Sequence, residues 1–103
     1  MIARYWSAHT TRAHAPAYAD HLRNHVLPTV QKVDGYAGAM LLEREISDGV
    51  EIVVITFWKS LDSIREFAGV DIEEAVVADE AASLLTQFDR SVRHYQVMVK
   101  DEA

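Results

Sequence analysis

Apolar residues follow two different spacings along the chain, and the switches between them outline its elements. Residues 2–9 read as a first strand, with Tyr5 and Trp6 as strand-favouring side chains inside it. Residues 10–15 form a connection, and Pro16 suits the first turn of a helix, where a missing N–H costs nothing. From Ala15 the apolar set Ala15, Ala19, Leu22, Val26, Val30 and Val33 repeats at three and four, which is one helical face. Pro28 predicts a kink or an early end, and Asp34-Gly35 a stop with Gly35 as a left-handed cap. Residues 36–46 and 50–58 flank Ser47-Asp48-Gly49 as two strands of a hairpin. The second is almost continuously apolar and β-branched, as a central strand is.

Ser60 then caps a helix whose inward face carries Leu61, Ile64, Phe67 and Ala68, and Gly69 ends it. Asp71 and Glu74 have capping-box spacing and predict a further helix, with Ile72, Ala75, Val76 and Ala82 on one side. Residues 92–99 close the chain as a fourth strand. The order β-α-β-β-α-β predicts an α+β, ferredoxin-like domain: a four-stranded antiparallel sheet with helices on one face. Strands this rich in Val, Ile and Met should not leave the other face in water, so a homodimer pairing two such faces is expected.

With 103 residues the chain is one domain, residues 1–103, with a modest core. Half of it is apolar, which excludes disorder. Ten basic against sixteen acidic residues give a net charge of -6, with no basic stripe to release counterions, so nucleic acid is not an expected partner. No cysteine is present, which excludes disulfides and thiolate-bound metals. No signal-like or membrane-length apolar run occurs, and a cytoplasmic protein without membrane contact is the expectation.

Several residues have two readings. Trp58, at the corner between strand and helix, is core or the flat wall of a pocket. His94 alternates with Val92 and Gln96 on one strand face; it is a base for a phenolic proton or a histidine held at a dimer seam. His14, Tyr18, His21 and His25 form a stripe bordering the apolar helix face. His21 and His25 have i,i+4 spacing, but no HExxH pattern and no third ligand accompany them, so no metal is expected and the stripe is a solvated edge or a pocket mouth. Asp79 falls on the apolar side of the last predicted helix, where a carboxylate needs a basic partner such as Arg93 or His94; otherwise it lies in an exposed turn. Ser7 has no adjacent base and no nucleophile elbow.

Thr56-Phe57-Trp58-Lys59-Ser60 at the corner, residues 67–71 (FAGVD), His94-Tyr95-Gln96-Val97, and the Gly35–Gly38 turn together resemble the antibiotic biosynthesis monooxygenase (ABM) family of the dimeric α+β barrel superfamily. The resemblance covers essentially the whole chain. It implies a cofactor-independent oxidation of a small planar or phenolic compound by dioxygen. Trp58 and Phe67 would clamp that compound, His94 would act as base or orienter, and Ser7, Tyr18, His21 and Asp79 would be polar groups of its pocket. Haem-degrading relatives use an asparagine, a tryptophan and a histidine; here Ser7 stands near the asparagine position and no histidine lies between Trp58 and Arg93, which disfavours haem degradation. The alternative is a non-catalytic small-molecule-binding or stress-related dimer of the same fold.

Overall fold

Period-two alternation builds the sheet, seen in a computed structural model that describes residues 1–103. Strands β1 (Ile2–Thr10), β2 (Tyr36–Ile46) and β3 (Gly49–Trp58) lie in the order β2-β3-β1, each antiparallel to its neighbour. Two short strands, β4 (Leu85–Phe88) and β5 (Arg93–Gln96), share the remaining edge of β1, also antiparallel. The helices α1 (Ala15–His21), α2 (Leu27–Val30), α3 (Leu61–Ala68) and α4 (Asp79–Leu84) complete the predicted ferredoxin-like α+β fold, with helices on one face.

A π-helical segment, Leu22–Val26, joins α1 to α2. Pro28 has no N–H for the Asn24 carbonyl and its ring crowds that oxygen, and widening the preceding turn relieves both without ending the helix. Val33, expected on the same helix, lies just beyond it in a run of tight turns, with its N–H donating to the Val30 carbonyl at 3.0 Å.

The even-numbered side chains of β1 and β3 face the helices. Ala8, Val50, Ile52 and Val54 pack with Ala15, Tyr18, Leu22 and Ala81 in one cluster, while Trp58 packs with Val30 and Ile64 in a second. Two glycines are set by close approach. A Cβ on Gly49 would strike the Thr10 carbonyl, and one on Gly35, at φ 90°, would strike the Ser63 side chain. The odd-numbered side chains, among them Tyr5, Val53, Ile55 and Phe57, occupy the opposite, uncovered face. They are joined there by Met40 and Leu42, at 45% and 46% exposure.

Two expectations are corrected. The fourth strand does not run through residues 92–99; it begins earlier, at Leu85, and is broken at residues 89–92. There the chain turns to a second partner: Ala75 N–H donates to the Arg90 carbonyl at 2.9 Å and Val92 N–H to the Glu73 carbonyl at 2.7 Å. Nor does Asp71 start a helix. Its carboxylate accepts from the Glu73 N–H in a local turn, and residues 69–78 form an irregular strap that becomes helical only at Asp79. The buried Arg4 guanidinium takes the carbonyls of Ile72 (2.5 Å) and Glu74 (3.0 Å), oxygens that a helix would need for its own ladder.

Candidate functional site

The strap, the first helical layer and the even-numbered face of the sheet leave a cavity between them. It opens to solvent at its mouth, and 14 of its 17 lining residues are hydrophobic, so a few polar atoms decide how any ligand would orient. Val54 and Thr56 from β3 form the floor with Arg4 and Trp6 from β1; Tyr18 and His21 come from α1, Phe67 from α3, and residues 75–78 from the strap. The walls are largely aromatic. The Trp6 ring stacks on Tyr18 at 6.3 Å, its Nε1–H donating to the Asp89 carbonyl at 2.7 Å. Phe67 stacks on Trp58 at 5.6 Å and lines the cavity, with the Arg4 guanidinium 5.8 Å from its ring centroid.

Trp58 itself lies behind that wall. It is fully buried, edge-on to Tyr36, and its indole N–H is spent on the Thr56 hydroxyl at 2.8 Å. Thr56 lines the cavity, and its hydroxyl, having accepted from Trp58, retains its own proton to donate.

Tyr18 and His21, both expected as binding groups, meet at the cavity. Burial pushes the Tyr18 phenol up to about 12, so it stays a protonated donor through the neutral range. His21 is buried, with Nδ1 3.6 Å from the Glu80 carboxylate and Nε2 without any hydrogen-bond partner. An unpaired buried polar atom costs roughly 1–3 kcal/mol, which a hydrogen-bonding partner at Nε2 would offset. The His25 ring follows His21 at 5.6 Å, and no group of three or more His, Cys, Asp or Glu converges as a metal cage.

The remaining candidates lie elsewhere. Ser7 belongs to the odd-numbered face of β1, away from the cavity, and its hydroxyl donates to the Ile52 carbonyl at 3.2 Å. Asp79 is exposed in the first turn of α4, outside the cavity lining and with neither Arg93 nor His94 as an ion-pair partner. His94 sits opposite Arg4 on the neighbouring strand, its Nε2 2.9 Å from the guanidinium. Arginine only donates, so Nε2 accepts and the ring is neutral with its proton on Nδ1. Burial first and the Arg4 charge second pull its pKa below the usual histidine value, against an opposing pull from Glu73. Arg4 is pushed down to about 10 by its own burial and remains a cation at neutral pH.

Arg4, Trp6 and Thr56 escaped the sequence reading as site residues. The signal was present as parity: Arg4 and Trp6 share alternate positions with the apolar Ile2 and Ala8.

No family model and no curated protein matches the sequence. Solved structures match it in shape. One from Bacillus cereus, described as an antibiotic biosynthesis monooxygenase, superposes with a TM-score of 0.68 at 14% identity, covering 99% of this chain and 97% of its own. The ActVA-Orf6 monooxygenase of Streptomyces coelicolor, solved with nanaomycin D, gives 0.63 at 16% identity over 99% of this chain and 89% of its own. MhuD, a haem degrader from Mycobacterium tuberculosis solved with two haems in its active site, gives 0.62 at 17% identity over 99% and 100%. At such identities the likeness is one of fold, and the chain carries the antibiotic biosynthesis monooxygenase-like fold.

Proposed function

We propose that the cavity binds a small planar, phenolic compound and that the protein oxidises it with dioxygen, as a homodimeric cofactor-independent monooxygenase. The observation that carries this reading is the cavity's composition: an apolar slot walled by Trp6, Tyr18 and Phe67, with Arg4, Thr56 and His21 as the other polar residues of its lining. Flat aromatic walls suit a flat ligand, and the polar atoms suit its hydroxyl. The chemistry balances without an outside reductant. A ring CH2 becomes C=O, one oxygen atom of O2 enters the product, and the other leaves as water with the two hydrogens. The solved neighbours of this fold include a monooxygenase with nanaomycin D bound, and this supports the reading at the level of fold. No helix is long and apolar enough to cross a membrane, and with a cysteine-free sequence the cytoplasm is the compartment this reading adopts.

A second reading is a non-catalytic small-molecule-binding or stress-related dimer. It is favoured by Ser7 lying on the far sheet face and by His94 already accepting from Arg4. Oxygen uptake separates the two. With an anthrone and no added cofactor, the wild-type protein should consume one O2 per anthrone, and Phe67→Ala should slow it by roughly tenfold or more through loss of the stacking wall. Anthrone binding without uptake selects the second reading, and an absence of binding removes both.

A further inference from the structure

The geometry points to His21, oriented by Glu80, as the group that takes the hydroxyl proton of a phenolic ligand bound in the cavity. This assignment rests on the binding reading above and names the chemistry at one end of that site. His21 is the last residue of α1 and only 8% exposed. Its two ring nitrogens diverge: Nδ1 faces the Glu80 carboxylate at 3.6 Å, across an outer recess lined by Asp20, Asn24 and His25. Nε2 is buried and has no partner, and the residue borders the apolar cavity. The Glu80 charge, at 3.6 Å beyond hydrogen-bond reach, favours the tautomer with its proton on Nδ1, which leaves the Nε2 lone pair free.

The neighbouring groups cannot do the same work. Tyr18, one turn earlier, keeps its own proton, so it donates to the ligand oxygen and does not accept from it. His94 has its accepting nitrogen engaged by Arg4 and does not line the cavity. The step is a simple transfer. The ligand O–H bond breaks, the proton moves to Nε2, and the electron pair stays on the ligand oxygen. The resulting imidazolium is countered by Glu80 and the phenolate is met by the Tyr18 hydroxyl. The ligands suited to this site are fused-ring phenols whose hydroxyl is acidified by a conjugated carbonyl, because their acidity lies within reach of an imidazole.

The test uses 2-hydroxyanthraquinone, whose phenolate absorbs at longer wavelength than its phenol, and the 2-methoxy ether, which has no proton to give. Bound to wild-type protein, the probe should ionise at least about one pH unit below its value in buffer. His21→Asn should abolish that shift while still binding the ether, and Glu80→Gln, a change at an exposed carboxylate, should reduce it. If His21→Asn does not fold, His21→Gln and Glu80→Gln carry the same comparison. A wild-type complex that binds the probe with no shift, or a shift that survives replacement of His21, overturns the assignment alone. Failure of both the probe and its ether to bind wild-type protein overturns the binding reading and this assignment with it.

Discussion

Trp58 and Phe67 stack on each other, yet they answer to different forces. Trp58 has no exposed surface, fills the second core cluster with Val30 and Ile64, and has its N–H satisfied by Thr56. Phe67 is partly exposed toward the cavity. Trp58→Ala should therefore lower stability by about 3–5 kcal/mol, the range for emptying a large aromatic site. Phe67→Ala should be much milder in a urea melt and should instead weaken binding of a planar ligand. Equal stability losses in the two variants would contradict this division. At this scale the sequence was half legible. A tryptophan at the strand–helix corner is readable as core or wall, and only the packing of α3 shows that Phe67 stands between it and the cavity. Ser7 shows the same limit. Alternation separates Ser7 from Trp6, but it does not say which of the two faces receives the helices.

At the level of elements, strands β1 to β3, the β2–β3 hairpin and the Ser60-capped helix α3 follow from local pattern, because period two, a Ser47-Asp48-Gly49 turn and a serine cap each act within a few residues. The strap did not follow from it. Asp71 and Glu74 carry a helix-start spacing, but a guanidinium 68 residues away takes the Ile72 carbonyl, and no local window contains that contact. Arg4 in turn leans on His94, which gives the strap a pH dependence with a definite sign. The folded-state pKa of His94 is depressed, so below about 6.5, the ordinary histidine value, the unfolded chain binds more protons than the folded one. Stability from this site is complete above that value and is lost as pH falls through it toward the folded pKa. His94→Gln keeps an acceptor for Arg4 and removes the titration. The urea midpoint of wild-type protein should therefore drop more between about pH 7.5 and 5.5 than that of His94→Gln, and the strap amides of residues 72–76 should exchange faster at the lower pH in wild type only. Parallel midpoints in the two proteins would show that His94 does not govern the strap.

At the scale of the whole molecule, the sheet is finished on one side only. The helices cover the even-numbered face, while Tyr5, Met40, Leu42, Val53, Ile55 and Phe57 meet none of them on the other. The chain end adds to this surface: beyond β5, Met98 and Val99 are almost fully exposed, and Lys100 reaches back to lie 5.3 Å over the Phe57 ring. A contiguous apolar sheet of this kind is more than a small monomer ordinarily leaves in water, and a second copy of the chain is the simplest matching surface, since a two-fold axis sets like strands against like. Polar pairs at one end of the face, Arg44 with Glu51 at 3.0 Å and His9 with Gln87 at 3.1 Å, would leave the apolar centre to drive such an association. Sedimentation equilibrium at micromolar concentration should accordingly return twice the 11.6 kDa chain mass. Leu42→Glu puts a charge in the middle of that face at a site already half exposed in the single chain, so it should yield a folded monomer with the far-UV spectrum of wild type. A wild-type monomer, or a Leu42→Glu dimer as tight as wild type, would mean that this face is not where two copies meet.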